Sequence, residues 1–465
     1  MPFRRSFRVA ALVVAVSLGV GAAQADAVIT TVDGGGAATA PAEPVELPFD
    51  TVSVFQTGEL TPAIRDRAFA AARAVNAPAV VARGFSGLLK GVRRNGAYVQ
   101  RSSGAGWAFP MAVSALPLTA AGGVMGRDVS GVLSRGRVVM SQTSADIRGA
   151  KVGDVVDMVG PSGSTVSFVI GRIGSDAEVG GTELVMTTTM ADRLGADIPT
   201  RVLIYGQFDR AALTAALARQ GLCTSATGLI CQTGSSLRTK VRRSWDPADP
   251  DAQLSLAETK RLLGEFDFYH AGLSASGWTA MNQTWVRKYL PARTTYPTGI
   301  NARCNVGPLG AAHTVKSDLT AALREVVSSG LSFAIDVGNT NSFGGCGTGS
   351  VRFARITQAL GAVSRHSWGQ PIDMNTNSNC QGCVPRMDCR VVRIFRKHGF
   401  AWGGNFLTAD GMHFEWVGEP RHALQYDSRF CDNLPTGRIQ SLRTPPPAGR
   451  DTLFADDGFT AEEHD

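Results

Sequence analysis

The chain has 465 residues, 44% hydrophobic and 18% charged, which is enough apolar material for more than one packed core and excludes a disordered protein or a mini-scaffold. Three positive charges, Arg4, Arg5 and Arg8, lie in a segment that reads as removable, so the formal balance falls from +7 to +4 in the mature chain. Only seven of the 46 basic residues are lysine, a skew closer to genome composition than to phosphate recognition, and no nucleic-acid partner is expected.

The first 25 residues join a basic start, an apolar stretch from Val9 to Ala23 and a small-x-small site at Ala23-Gln24-Ala25. This pattern predicts a cleaved signal peptide over 1–25, an uncleaved anchor being the alternative. No Cys lies directly after the apolar stretch, so no lipid anchor is expected. No later segment has the roughly 18 uninterrupted apolar residues of a membrane span, which predicts a secreted, extracytoplasmic protein. Residues 26–47, with Asp33-Gly34-Gly35-Gly36 and Ala40-Pro41, read as a flexible leader.

Residues 48–232 are expected to form a mixed α/β accessory domain. A helical pattern runs from Pro62 to Val75, and β-type segments follow at Val138–Met140, Val155–Val159 and Thr165–Ile170. The last two flank Gly160-Pro161-Ser162-Gly163 and read as a hairpin. Val202–Tyr205 is a buried-strand candidate and Ala211–Gln220 a helix, with no titratable cluster of catalytic spacing among them. Met140 to Asp146, Val152 to Val156 and the hairpin resemble the extracytoplasmic domain of ABC-transporter permeases of the MacB/FtsX type, over about 138–206. That resemblance implies an interaction module with a membrane complex as partner. Arg238, Lys240, Arg242 and Arg243, followed by Asp246-Pro247-Ala248-Asp249-Pro250, predict a polar linker over 233–255.

Residues 256–435 hold the chemistry, ahead of a proline-bearing, acidic tail at 436–465 that is expected to be disordered. Ser317–Ser329 has helical spacing and Leu331–Val337 alternates like a strand. The Gly-rich loop Ser342–Gly349 lacks the Gly-Lys-Ser/Thr ending of a phosphate loop. All eight cysteines follow residue 200, and export makes disulfides their default state. Cys223 and Cys231 bracket a short loop and are expected to pair; Cys304, Cys346, Cys380, Cys383, Cys389 and Cys431 allow 15 pairings. Cys380-Gln-Gly-Cys383 looks like a zinc or redox motif, but those chemistries belong mostly to reducing compartments.

Two of the seven histidines sit in unusual company, one within Ser364 to Asn375 and one within Asp410 to Trp416. A hydrolytic zinc site needs three N/O ligands and an open position for water, a set that His366, Asp373 and His413 supply. A carboxylate must also move the proton, and Asp410 and Glu415 are candidates. From residues alone, ordinary core or surface histidines fit equally well. Ser364-x-His366-x-x-Gly369-x-Pro371-x-Asp373 matches the S-x-H-x-x-G-x-A-x-D signature of VanY-type zinc D-alanyl-D-alanine carboxypeptidases, departing at Pro371. Gly399 to Asn405, with Asp410-x-x-His413-Phe414-Glu415-Trp416, is similar to the second motif of that family's L-alanoyl-D-glutamate/D,D-peptidase branch.

The resemblance covers about 304–418. It implies an α+β fold, a small antiparallel sheet carrying the ligands with helices on one face. It implies Zn2+ held by His366, Asp373 and His413, with Asp410 as general base and acid where the family more often has Glu. Glu415 is the rival base, because on a strand it faces the same side as His413. Arg352 or Arg355 would steady the substrate's developing negative charge. Ser364 and Asn375 would hydrogen-bond behind the ligands, Trp368, Trp402 and Trp416 would wall the cleft or fill the core, and His398 would end a helix before its Gly cap. The expected activity is that of a cell-wall-associated zinc metallopeptidase acting on peptidoglycan stem peptides, as carboxypeptidase or endopeptidase. The alternative, kept open by Pro371 and Asp410, is a non-catalytic wall-binding or scaffolding protein.

Overall fold

A computed structural model describes residues 50–222, 230–233, 237–245, 249–272, 277–291, 295–297, 301–303, 311–336, 343–344, 348–354, 361–423 and 428–433. The expected signal peptide, leader and tail lie outside the described residues, as do Cys223, Cys304, Cys346 and Arg355.

Strand β1 (Asp50–Gln56) leads through α1 (Pro62–Arg73) to the 16-residue β2 (Ala79–Arg94), and β3 (Ala97–Arg101) and β4 (Trp107–Leu116) pair antiparallel with β2. Helix α1 begins at Pro62, whose fixed φ suits a first turn, and buries Ile64, Ala68, Ala71 and Ala72 along one face. There follow α2 (Leu118–Met125), α3 (Arg127–Ser134), β5 (Val138–Ser141), α4 (Gln142–Arg148), β6 (Val155–Val159), β7 (Thr165–Gly174), β8 (Leu184–Thr187), α5 (Thr188–Asp192), β9 (Arg201–Gly206), α6 (Arg210–Arg219), β10 (Ile230–Thr233) and β11 (Leu237–Arg243). Strands β2, β6, β7, β5, β8 and β4 pair in that order, and β4 returns to β2, closing a six-stranded barrel. Its interior is apolar, with Leu89, Met111, Val113, Met140, Val156 and Ile170 fully buried. Before entering the barrel, Ala79–Ala82 of β2 pair with β9, from which β1, β11 and β10 extend a second sheet.

The expected hairpin forms between β6 and β7. The expected linker over 233–255 does not hold as such. Leu237–Arg243 is a strand registered against β1 from Gln56↔Thr239 to Val52↔Arg243, with Val241 in the core. Arg238, Lys240 and Arg242 alternate with Thr239 and Val241 at a strand's period of two, which their charge concealed. Asp249, Asp251, Gln253, Leu254 and Ser255 are also buried.

Ser255 opens α7 (Leu256–Leu263) with a reciprocal capping box, its Oγ accepting from Glu258 N and Glu258 accepting from Ser255 N. Next come β12 (Phe268–Tyr269), β13 (Thr279–Ala280), α8 (Gln283–Tyr289), β14 (Thr295–Pro297), β15 (Asn301–Arg303), α9 (His313–Ser328), β16 (Phe343–Gly344), β17 (Ser350–Val351), β18 (Pro371–Met374), α10 (Cys389–Lys397), β19 (Phe400–Trp402) and β20 (His413–Trp416). Strands β16, β18, β20 and β19 make an antiparallel sheet in that order. Ile372, Met374, Phe414 and Trp416 on one face join a core with Val315, Leu319 and Leu323 of α9 and Val391, Val392 and Phe395 of α10. Side chains alternate along strands, so Asp373, His413 and Glu415 share the opposite face. The strand expected at Leu331–Val337 is instead a 3₁₀ turn at Ser332–Ala334. Leu331 and Ile335 are buried four residues apart while Phe333 is 75% exposed, so the apparent alternation is broken at its middle position.

Cys389 at the head of α10 is bonded to Cys431, and Cys380 to Cys383, so the Cys-x-x-Cys pair is a disulfide. The barrel meets the second half through a buried quartet of charges. Lys260 on α7 donates to both oxygens of Glu183 at 3.0 and 3.1 Å and lies 2.9 Å from Glu265. Arg148, ending α4, donates to Glu183 at 3.0 Å and to Glu265 at 2.5 Å. Burial pushes the Glu183 carboxyl up, but the Lys260 and Arg148 charges outweigh it and hold the group below its ordinary value. Among the described residues no helix is long and apolar enough to cross a membrane.

Candidate metal centre

Antiparallel pairing of β18 with β20 sets Asp373 directly opposite His413, on the face opposite α9 and α10. His366 arrives from the 3₁₀ turn Arg365–Trp368, where Ser364 Oγ accepts from His366 N at 3.3 Å and Gly369 closes the turn at φ 63°. His366 Nε2 is 3.1 Å from Asp373 Oδ2, and His413 Nδ1 is 3.2 Å from Asp373 Oδ1. The three residues are buried and offer ligand atoms that all lie within 4.8 Å of one another. Zinc bonds of roughly 2.0–2.1 Å in a tetrahedron separate ligand atoms by about 3.3 Å. The donor set and its spacing therefore fit zinc.

Glu415, two residues beyond His413, is fully buried behind it. Its Oε1 accepts from Gln370 Nε2 at 3.1 Å, and its Oε2 accepts from Gln253 Nε2 at 2.6 Å and lies 3.4 Å from His413 Nε2. The carboxylate thus faces the Nε2 edge of the imidazole, and Nδ1 faces Asp373. Gln370 also donates to Trp416 O at 2.8 Å and accepts from Thr259 Oγ1 at 3.2 Å. Arg365 donates to Thr259 Oγ1 at 2.6 Å and to Leu254 O at 2.9 Å. Gln253, Leu254 and Thr259 among these supports lie at the boundary between the expected linker and the domain after it. The Ser255-x-x-Glu258 pattern was the available signal that ordered structure begins there.

Asp410 is fully buried in the turn before β20, its N–H donating to Gly403 O at 2.8 Å and its C=O accepting from His413 N at 3.1 Å. A Cβ on Gly403 would lie 2.6 Å from Asp410 O and 3.0 Å from His413 Cβ, so only glycine lets this loop close on the centre. Gln381, inside the Cys380–Cys383 loop, reaches Asp410 Oδ2 at 3.5 Å. Arg352 follows β17; its C=O accepts from Ser364 N at 3.1 Å and its guanidinium lies 5.2 Å from the Trp278 ring. Asn375 is directed away from the ligands, tying Ala334 O and Asp336 N at 2.8 Å each. Trp368, Trp402 and Trp416 are buried core residues. His398 ends α10 ahead of Gly399 at φ 79° and contacts Glu325 at 2.7 Å.

Residues 357–416 match the D-alanyl-D-alanine carboxypeptidase family. The matched segment contains His366, Asp373, Asp410, His413 and Glu415; Gln253, Thr259 and Arg352 lie outside it. The extracellular domain of the noncanonic ABC-type transporter YknZ from Gram-positive bacteria is similar over 37% of this chain and 88% of its own, at 14% identity and a TM-score of 0.23. No protein of curated function matches the sequence.

Proposed function

We propose that this chain is an exported zinc metallopeptidase that hydrolyses peptide bonds in peptidoglycan stem peptides. The observation that carries the proposal is the convergence of His366, Asp373 and His413, buried on one face of a sheet, within the family-matching segment. Zinc, when bound, supplies a Lewis acid and a water of lowered pKa.

The chain's own residues do the rest. His366, Asp373 and His413 hold the metal. Asp410, in the turn that enters β20, takes the proton of the attacking water and returns it to the leaving amine. Glu415 has amide donors on both oxygens and a place behind His413, which suits it to orienting that ligand and not to proton transfer. Arg352 supplies positive charge for a substrate carboxylate or the developing oxyanion. Two disulfides in the peptidase half support an oxidising, extracytoplasmic setting.

The test is digestion of purified muropeptides followed by mass spectrometry, with Asp410→Ala alongside the wild type. Release of terminal D-Ala marks a carboxypeptidase, and an internal cut marks an endopeptidase. Equal cleavage by the Asp410→Ala form removes Asp410 from the mechanism. No cleavage by a zinc-loaded wild type that still binds peptidoglycan favours the non-catalytic reading.

A further inference from the structure

One segment outside the family match, 253–265, reaches both the metal centre and the barrel. Toward the centre, Gln253 donates to Glu415, while Leu254 O and Thr259 hold Arg365 beside His366. Toward the barrel, Lys260 binds Glu183 and Pro110 O, and Glu265 accepts from Arg148 and from Gln100. Gln253 is therefore presented from a helix start that is anchored at both ends.

We propose that Gln253 is a positioning residue for the metal centre, acting on His413 through Glu415. This rests on reading His366, Asp373 and His413 as metal ligands. The geometric need is specific. Gln370 holds only Oε1 of Glu415, about which the carboxylate could still swing; Gln253, at 2.6 Å, holds Oε2, the oxygen that faces His413 Nε2. Without that restraint the oxygen that fixes the Nε2 edge of the imidazole can shift, and with it the approach of Nδ1 to Asp373 Oδ1, now 3.2 Å. A carboxylate that orients a ligating histidine commonly sets metal affinity and activity by about 10–100-fold. Gln253 extends that support one residue further, from outside the peptidase motif.

The experiment uses the full chain, stripped with a chelator and titrated with zinc against a chromophoric competitor, then with cobalt(II) for its visible spectrum. Gln253→Met keeps the length of the side chain and removes the N–H donor. The expected result is a cooperative melt like that of the wild type, zinc affinity reduced about 10-fold or more, an altered cobalt(II) spectrum, and a fall in kcat with little change in KM. Gln253→Leu, apolar and also lacking the donor, carries the same test should the Met form fail to fold. Zinc affinity within twofold of wild type together with an unchanged cobalt(II) spectrum overturns the role of Gln253. A wild-type chain that binds neither metal overturns the metal reading itself, a distinct outcome.

Discussion

Replacing Glu183 by Gln tests how the two halves of the chain are joined. The wild-type carboxylate is fully buried and accepts from Lys260 at 3.0 and 3.1 Å, Arg148 at 3.0 Å and Ala112 N at 2.9 Å. At an effective dielectric near 20, each charge pair about 3 Å apart is worth roughly 5 kcal/mol before desolvation is counted. Removing one charge leaves two buried cations on Glu265 alone and sets an amide donor against donors already present, for an expected cost of about 3–5 kcal/mol. Glu183→Gln combined with Lys260→Met restores the balance, leaving Arg148 with Glu265 at 2.5 Å, and should cost at least about 2 kcal/mol less than the two single changes added together. Urea unfolding followed by circular dichroism, compared at the midpoints, measures both quantities. A single-mutant cost below about 1 kcal/mol, or strict additivity, would refute the claim that the quartet acts as a balanced lock.

Three further outcomes follow from the structure. Gly403→Ala forces a Cβ against Asp410 O and His413 Cβ, so it should destabilise the fold by about 1–3 kcal/mol and weaken zinc binding, as read by melting and by competition titration. Zinc added to the stripped protein at about 100 times its Kd should stabilise it by roughly 2.7 kcal/mol, and Asp373→Asn should abolish most of that thermal shift. Burial pushes the Asp157 carboxyl up, yet hydrogen bonds from Arg93 at 2.5 and 2.8 Å and Ser167 at 2.7 Å, with the Arg93 charge, hold it below its ordinary value. The unfolded chain then binds more protons than the folded one in mild acid, so this stabilisation is full above the unfolded value and is lost as pH falls through the folded one. Asp157→Asn should therefore cost about 1–2 kcal/mol at neutral pH and clearly less near pH 3 in parallel urea titrations.

The residues of the candidate centre were legible in the sequence because ligand chemistry is restricted to few side chains and strand geometry repeats every two residues. His413 and Glu415 share a face whatever the rest of the chain does, and so do Pro371 and Asp373. Helices α1 and α6 and the β6–β7 hairpin were legible because their signals are local, whereas α2, α3, α4 and α5 were not read from the sequence. The strand at Leu237–Arg243 was not, because its alternating positions are basic and its partner, β1, lies nearly two hundred residues earlier. Only folding brings His366, Asp373 and His413 together, by pairing Asp373 with His413 and capping the turn that carries His366. The choice between Asp410 and Glu415 as proton carrier was likewise open in the motif, where both flank His413. The surroundings of Glu415 were not legible there either, because Gln253 and Gln370 are amides far apart in sequence whose approach to it depends on where α7 is anchored. Side-chain type and local period are properties of short stretches and can be read from them, whereas register, barrel closure and the partners of a buried carboxylate depend on burial summed over the whole core.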